Sequence, residues 1–152
     1  MKILVLSDSH NSFSSILRAM ENEKNIDMII HAGDVHRDVE DIMIMWPNIP
    51  CAYVLGNNDF FVHDAPNQRF FEVCGKKIFL THGHLYGVKS STARVEYEAR
   101  KLGADICIFG HTHTRHLEEK DGLWILNPGA ASRSYGIIQI KNGVTEIKIK
   151  DN

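Results

Sequence analysis

Apolar residues recur along this chain at two spacings, and the alternation between the spacings sets out its elements. The run "KILVLS" (Lys2 to Ser7) is short and continuously apolar up to its polar end, the pattern of a strand buried on both faces. In "NSFSSILRAMENEK" the apolar positions Phe13, Ile16, Leu17 and Met20 then fall three and four apart, which predicts a helix. The pair repeats: "DMIIHAGD" (Asp27 to Asp34) predicts a second strand, and Val39, Ile42, Met43 and Trp46 a second helix stopped by Pro47. "CAYVLG" (Cys51 to Gly56) is a third strand. Strands alternating with helices imply right-handed crossovers and a parallel sheet in this part of the chain.

Beyond "NNDFFVHDAPN" the pattern changes. "RFFEV" and "KIFLTH", joined at Gly75 and Lys76, predict a hairpin, and Val95, Ala99 and Leu102 form the inward face of a helix from Lys89 to Leu102. After "DICIFG" come "RHLEE", "LWILN", "YGIIQI" and "VTEIKIK", punctuated by the hairpin dipeptides Asp121-Gly122 and Asn142-Gly143. This second part is therefore expected to be largely antiparallel. So many strands exceed what one small twisted sheet holds, and the expectation is one α/β domain over residues 1–152 with two sheets.

Composition narrows the function classes. The 152 residues are 43% hydrophobic, enough for a core, and carry a net charge of −2 with no basic run. A broad charged footprint for nucleic acid or membrane is not expected, so a small anionic substrate would need a metal. Cys51, Cys74 and Cys107 form no CxxC pair and read as small core residues in a reducing compartment. No signal peptide or membrane span is seen, and the expected location is the cytoplasm. The exposed-type aromatics Phe60 and Phe61 leave room for a homo-oligomer interface without requiring one.

The candidate chemistry lies where the strands end. "SDSH", "HAGD", "GNND", "THGH" and "GHTH" follow five predicted strands, each with a carboxylate, amide or imidazole. Ligands bind at the carboxyl ends of parallel strands, so Asp8, His10, Asp34, Asn57, His82, His111 and His113 are candidates to converge. Carboxylates and imidazoles without thiolates suit manganese, iron or zinc. Seven donors exceed one zinc and match two nearby ions, with the two oxygens of Asp34 suited to a bridge. Taken singly, each feature has a plainer explanation. Asp8 and Ser9 would cap the first helix, Gly56 to Asp59 would be a turn, and His111 and His113 would be solvated. His36, His63 and His116 read as surface residues, and His31 as packed in its strand.

The ordered set D-x-H, G-D, G-N-x-D, H and G-H-x-H over residues 8–113 resembles the calcineurin-like metallophosphoesterase superfamily, especially its small bacterial and archaeal phosphodiesterases. Asn127-Pro128-Gly129-Ala130 is similar to the "NPGS" stretch of those members. The resemblance implies a four-layer α/β/β/α sandwich of two mixed sheets flanked by helices. It implies one ion held by Asp8, His10, Asp34 and His113 and another by Asp34, Asn57, His82 and His111. Manganese is the expected metal, with nickel, iron(II) or zinc as alternatives. The reaction implied is hydrolysis of small phosphodiesters by attack of a metal-bridging hydroxide.

One position departs from the pattern. The family reads G-N-H-D or G-N-H-E, and Asn58 stands where its phosphate-contacting histidine would be. Asn58 cannot serve as a general acid, although its amide can hold a phosphate oxygen beside Asn57, and the role of Asp59 as orienter of that histidine lapses. His84 is a candidate substrate contact or a solvated loop residue. The alternative function is a protein-interaction scaffold, the use that the retromer subunit makes of this fold. Loss of donors would be its sign, and all seven positions keep one.

Overall fold

A computed structural model describes residues 1–152. The first half follows the expected alternation: β1 (Lys2–Leu6), α1 (Phe13–Asn22), β2 (Met28–His31), α2 (His36–Met45) and β3 (Cys51–Tyr53). Next come the hairpin β4 (Gln68–Val73) and β5 (Lys76–Thr81), a 3-10 turn at His84–Tyr86, α3 (Ala93–Lys101) and β6 (Ile106–Ile108). Two further hairpins close the chain, β7 (His116–Lys120) with β8 (Leu123–Asn127) and β9 (Ser134–Lys141) with β10 (Val144–Asp151).

The strands form two five-stranded sheets, ordered β10-β9-β1-β2-β3 and β4-β5-β6-β8-β7. Period-two alternation explains how they stack. In β1, Ile3 and Val5 point into the space between the sheets while Leu4 and Leu6 face outward, and all four are fully buried. Ile78 and Leu80 of β5 and Ile106 and Ile108 of β6 meet them from the other sheet. On the outer faces, Ile16, Ala19 and Ile42 of α1 and α2 cover Leu4, Leu6 and Ile29, and Val95 and Ala99 of α3 cover Phe79, Cys107 and Ile125. Helix, sheet, sheet and helix make the expected four layers. Full burial of each such side chain contributes about 1.5–3 kcal/mol before entropy is counted.

The second part of the chain is largely antiparallel as expected, in the pairs β4–β5, β7–β8, β9–β10 and β9–β1, while β5, β6 and β8 run parallel to one another. Asp121-Gly122 fixes the pairing of β7 with β8 but not which of the two lies against β6, and the inner place goes to β8. The last hairpin joins the first sheet, β9 pairing antiparallel with β1. The third helix starts at Ala93 rather than Lys89 because Ser91 Oγ accepts the Ala93 N–H at 3.1 Å, a local bond that competes with helix. Cys74 is exposed, at the first position of the β4–β5 turn with φ 51°, followed by Gly75 at φ 76°. The turn therefore lies one residue earlier than Gly75-Lys76. No helix is long and apolar enough to cross a membrane.

A buried carboxylate ties α1 to the first sheet. Glu23, just past α1, is 6% exposed; Lys2 Nζ lies 2.6 Å and Lys150 Nζ 2.5 Å from its oxygens, and Tyr135 Oη donates to it at 3.0 Å. Burial pushes the Glu23 carboxyl up, but the bonds from Lys150, Lys2 and Tyr135 outweigh it and hold the group below its ordinary 4.5. Both lysines are partly exposed, so solvent screens part of this attraction. Glu23→Ala is expected to lower the unfolding free energy by about 1–3 kcal/mol in urea titrations, because Lys2, Lys150 and the Tyr135 hydroxyl lose their shared acceptor. An unchanged urea midpoint would mean that water replaces the carboxylate at no cost.

Candidate metal centre

The two parallel triplets, β1-β2-β3 and β5-β6-β8, bring their carboxyl ends to one edge of the sandwich. There the loop after β1 supplies Asp8 and His10, that after β2 Asp34, and that after β3 Asn57. The loops after β5 and β6 supply His82, His111 and His113. Asp8, His10, Asp34 and His113 each offer one donor atom within 4.8 Å of the others. His113 Nε2 is 3.3 Å from Asp8 Oδ1, His10 Nε2 is 3.9 Å from Asp34 Oδ2, and the two imidazole nitrogens are 3.1 Å apart.

A second group adjoins the first through Asp34. His82 Nε2 lies 3.5 Å from Asp34 Oδ2, 3.2 Å from Asn57 Oδ1 and 4.0 Å from Asp8 Oδ1, and the His111 ring stands 5.0 Å from the His82 ring. Asp8, Asp34 and His82 form a buried floor, while His10 and His113 are exposed at the rim.

The arrangement suits a cation in two independent respects. His82 Nδ1 is 2.8 Å from the Ala32 carbonyl, which can only accept, so Nδ1 carries the proton and Nε2 turns its lone pair to the oxygens of Asp34 and Asn57. Three lone-pair donors facing one another call for a positive charge between them. Asp8 Oδ2 accepts from Ser7 Oγ at 2.6 Å and from the His111 N–H at 3.1 Å, whereas Asp8 Oδ1 is buried without any donor. A buried carboxylate oxygen left unpaired is costly unless a cation takes it. Burial, joined by the charges of His82, Lys89 and His84, pushes His111 down to about 4, so its imidazole is neutral and its lone pair free near pH 7.

The backbone is bent to make this possible. Asp8, His10, Asp34, His111 and His113 have φ of 52°, 48°, 67°, 66° and 58°, the left-handed region that L-residues seldom occupy. Each such residue costs about 1–3 kcal/mol, and strain of this kind persists where the surroundings over-determine it. Two motif glycines give the loops room. A Cβ on Gly56 would lie 2.0 Å from Asp34 Oδ1, and one on Gly110 1.9 Å from Ser7 Oγ.

Asn58 and Asp59 serve different partners. The Asn58 backbone N–H donates to Asp34 Oδ1 at 3.0 Å and its Nδ2 to Asp34 Oδ2 at 2.8 Å, so its amide steadies the shared carboxylate. Asp59 accepts from the His36 N–H at 2.7 Å and the Gly56 N–H at 2.8 Å, capping α2 and closing the turn. The plainer explanation, capping and turn formation, is the one observed for Asp59. It fails for Asp8 and Ser9: α1 starts at Phe13 and both residues are buried away from it. His63 is exposed as expected, but His36 is mostly covered, its ring 5.3 Å from that of Tyr53, and His116 is half-buried against Phe109.

Three supporting residues had no role assigned from the sequence, although Asn127 stands in one of the stretches that carry the resemblance. Ser7 bonds Asp8. Asp38, 2% exposed, accepts from Ser9 Oγ at 2.5 Å and the Asn11 N–H at 2.9 Å. Buried Asn127, at the end of β8, donates to the Gly110 carbonyl at 2.8 Å and to Thr112 Oγ1 at 3.0 Å, holding the "GHTH" loop. A signal existed for Asp38: four residues before Ile42, it shares that residue's inward face. His31 is packed as expected, with Nε2 3.1 Å from Ser9 Oγ, and burial drives it down to about 4.

Residues 1–148 match the family model described as the calcineurin-like phosphoesterase superfamily domain. The chain belongs to that superfamily. Among its relatives, the probable metallophosphoesterase YsnB of Bacillus subtilis is 32% identical over an alignment covering 99% of this chain and 91% of the relative. A phosphodiesterase of Methanocaldococcus jannaschii is also 32% identical, covering 85% of this chain and 83% of its own. The crystal structure of a predicted phosphoesterase from Streptococcus pneumoniae superposes with a TM-score of 0.81 at 25% identity, covering 99% of this chain and 88% of that one. Membership of this superfamily and the Asp/His cluster together make the chain a metallophosphoesterase that uses divalent metal.

Two outcomes follow from this geometry. Gly56→Ala is expected to weaken manganese binding at least about tenfold in titration calorimetry, because the new methyl displaces Asp34. Parent-like affinity would show that the turn yields freely. For His31, the folded value of about 4 lies below the ordinary 6.5, so the unfolded chain takes up the proton first. Stability should fall as pH drops from 6.5 to 4 and level off below, a slope that His31→Gln removes. A flat difference between the two stability profiles would mean that His31 is charged in the fold.

Proposed function

We propose that the protein is a dinuclear metal-dependent phosphodiesterase acting on small phosphodiesters. The observation that carries this reading is the position of Asp34, whose Oδ2 lies 3.9 Å from His10 Nε2 in one donor group and 3.5 Å from His82 Nε2 in the other. Asp8, His10, Asp34 and His113 would hold one ion, and Asp34, Asn57, His82 and His111 the other. Divalent ions so held polarise a phosphoryl oxygen and bring the pKa of water toward neutrality. Manganese is the ion assigned, because carboxylate, amide and imidazole donors without thiolate suit a borderline-hard cation.

The chain's own residues orient and restrain. Asn58 fixes both oxygens of Asp34 and has no proton to give a leaving group. Burial pushes His84 below its ordinary value against the pull of Asp34 and so favours its neutral form. It can donate one ring N–H to a phosphoryl oxygen but is a poor source of a full proton. Asp59, both of whose oxygens accept backbone N–H groups, supplies none. Without a general acid, whose assistance is worth about 10²–10⁴-fold, the preferred esters are those with stable leaving groups, activated diesters above alkyl monoesters. The reading places the protein in the cytoplasm, where Cys51, Cys74 and Cys107 remain the free thiols they are in the structure.

The decisive experiment combines metal analysis with activity toward matched aryl and alkyl mono- and diesters. Chelation should abolish hydrolysis and manganese restore it. Asp34→Asn should lower the rate on the order of 10²-fold or more, beyond the loss in His10→Ala, because it weakens both groups at once. Less than one metal per chain after reconstitution with manganese, nickel or zinc would turn the reading toward a protein-interaction scaffold.

A further inference from the structure

A cavity of about 370 Å³ opens directly beside the second donor group. Asn57 and His84 form its inner edge, and through Asn57 Oδ1 it comes within 3.2 Å of His82 Nε2. Away from that edge its wall is mixed: Phe60, Val62 and Ala65 from the loop after β3 give it an apolar side, and His63 and Asn67 stand beside them as neutral polar neighbours. Phe60 leaves 73% of its surface exposed, a large apolar area for a loop residue.

Charge defines what this cavity accepts. No lysine or arginine lines it, so a second phosphate or carboxylate would find no cation. Its one acidic residue, Asp59, has both oxygens accepting backbone N–H groups, so an ammonium would find no free carboxylate. A neutral, partly apolar group is left. The volume lies within the roughly 300–1,000 Å³ of small-molecule sites, and a flat ring can lie against the Phe60 face. His84, on the inner edge, adds a polar imidazole beside Asn57 where the cavity meets the donor cluster.

We propose that this cavity is a specificity subsite for an uncharged, ring-bearing organic group of the ester, held by Phe60, Val62 and Ala65 while the phosphoryl group lies over the donor cluster. The inference rests on the phosphodiesterase reading and narrows its substrates to esters of aryl or heteroaryl groups. Esters carrying further anionic groups are disfavoured.

The test compares two singly charged diester mimics that cannot be cleaved at their P–C bond, monomethyl benzylphosphonate and monomethyl methylphosphonate. Their affinities for the manganese-loaded protein are measured by titration calorimetry. The benzyl compound should bind about tenfold tighter, in keeping with burial and stacking of one ring. Phe60→Ala, which removes the ring wall, and Ala65→Leu, which fills the cavity, should each reduce that ratio to below about threefold. They should do so by weakening the benzyl compound alone. A ratio under twofold in the parent, or one that persists in both variants, overturns the proposal. A second measurement separates it from the phosphodiesterase reading: metal-free protein is titrated with benzyl alcohol while backbone amide shifts are followed by NMR. If neither phosphonate binds the loaded protein, the phosphodiesterase reading fails. The subsite then stands if shifts concentrate at Phe60, Val62, His63 and Ala65, and falls if they do not.

Discussion

Two carboxylates, Asp8 and Asp34, lie 1% and 2% exposed at the seam between the sheets, and every ion-pair contact within 4.0 Å of either is with a histidine. Neither lysine nor arginine reaches them. Burying like charges in this way is unfavourable unless positive charge is supplied from outside the chain. Much of the local structure serves that constraint: left-handed backbone aims the side chains inward, glycines let loops approach, and Ser7, Asn58 and Asn127 fix oxygens and carbonyls that would otherwise shift. The hydrophobic layers provide the rigidity to hold this strain. Strands fully buried on both faces cannot slip by one residue without turning apolar side chains the wrong way.

Much of this was legible in the sequence. The two apolar spacings locate the helices and strands, and polar clusters at strand ends single out the donor residues before any geometry is known. Strand order was not legible. A hairpin dipeptide carries information about the two strands it joins, and β8 rather than β7 takes the place beside β6 because of long-range packing that no local signal encodes. The final hairpin likewise crosses back to β1, a pairing between residues far apart in the chain.

The limits at the site are of the same kind. Asn58 and Asp59 are adjacent in the chain, yet their side chains serve different partners: Asp34 for one, the start of α2 for the other. Hydrogen-bond partnership follows spatial neighbours, and a short polar side chain in a turn has several within reach. The donor residues themselves were recoverable because their chemistry is unusual at a strand end. Their supports, serine, asparagine and an inward aspartate, are ordinary residues whose importance lies in what they touch.

The return of β9 to the first strand has a consequence for how the molecule comes into being. As the chain leaves the ribosome, β1 emerges before β9 and lacks its partner on one side until residues 134–141 follow. His10 and His113, which meet at 3.1 Å, are separated by 103 positions. A nascent chain therefore carries scattered carboxylates and imidazoles with no shared geometry through most of synthesis, and contacts this distant in sequence form late and slowly. The sheet that carries Asp8 and His10 is thus completed last, when β9 docks against β1.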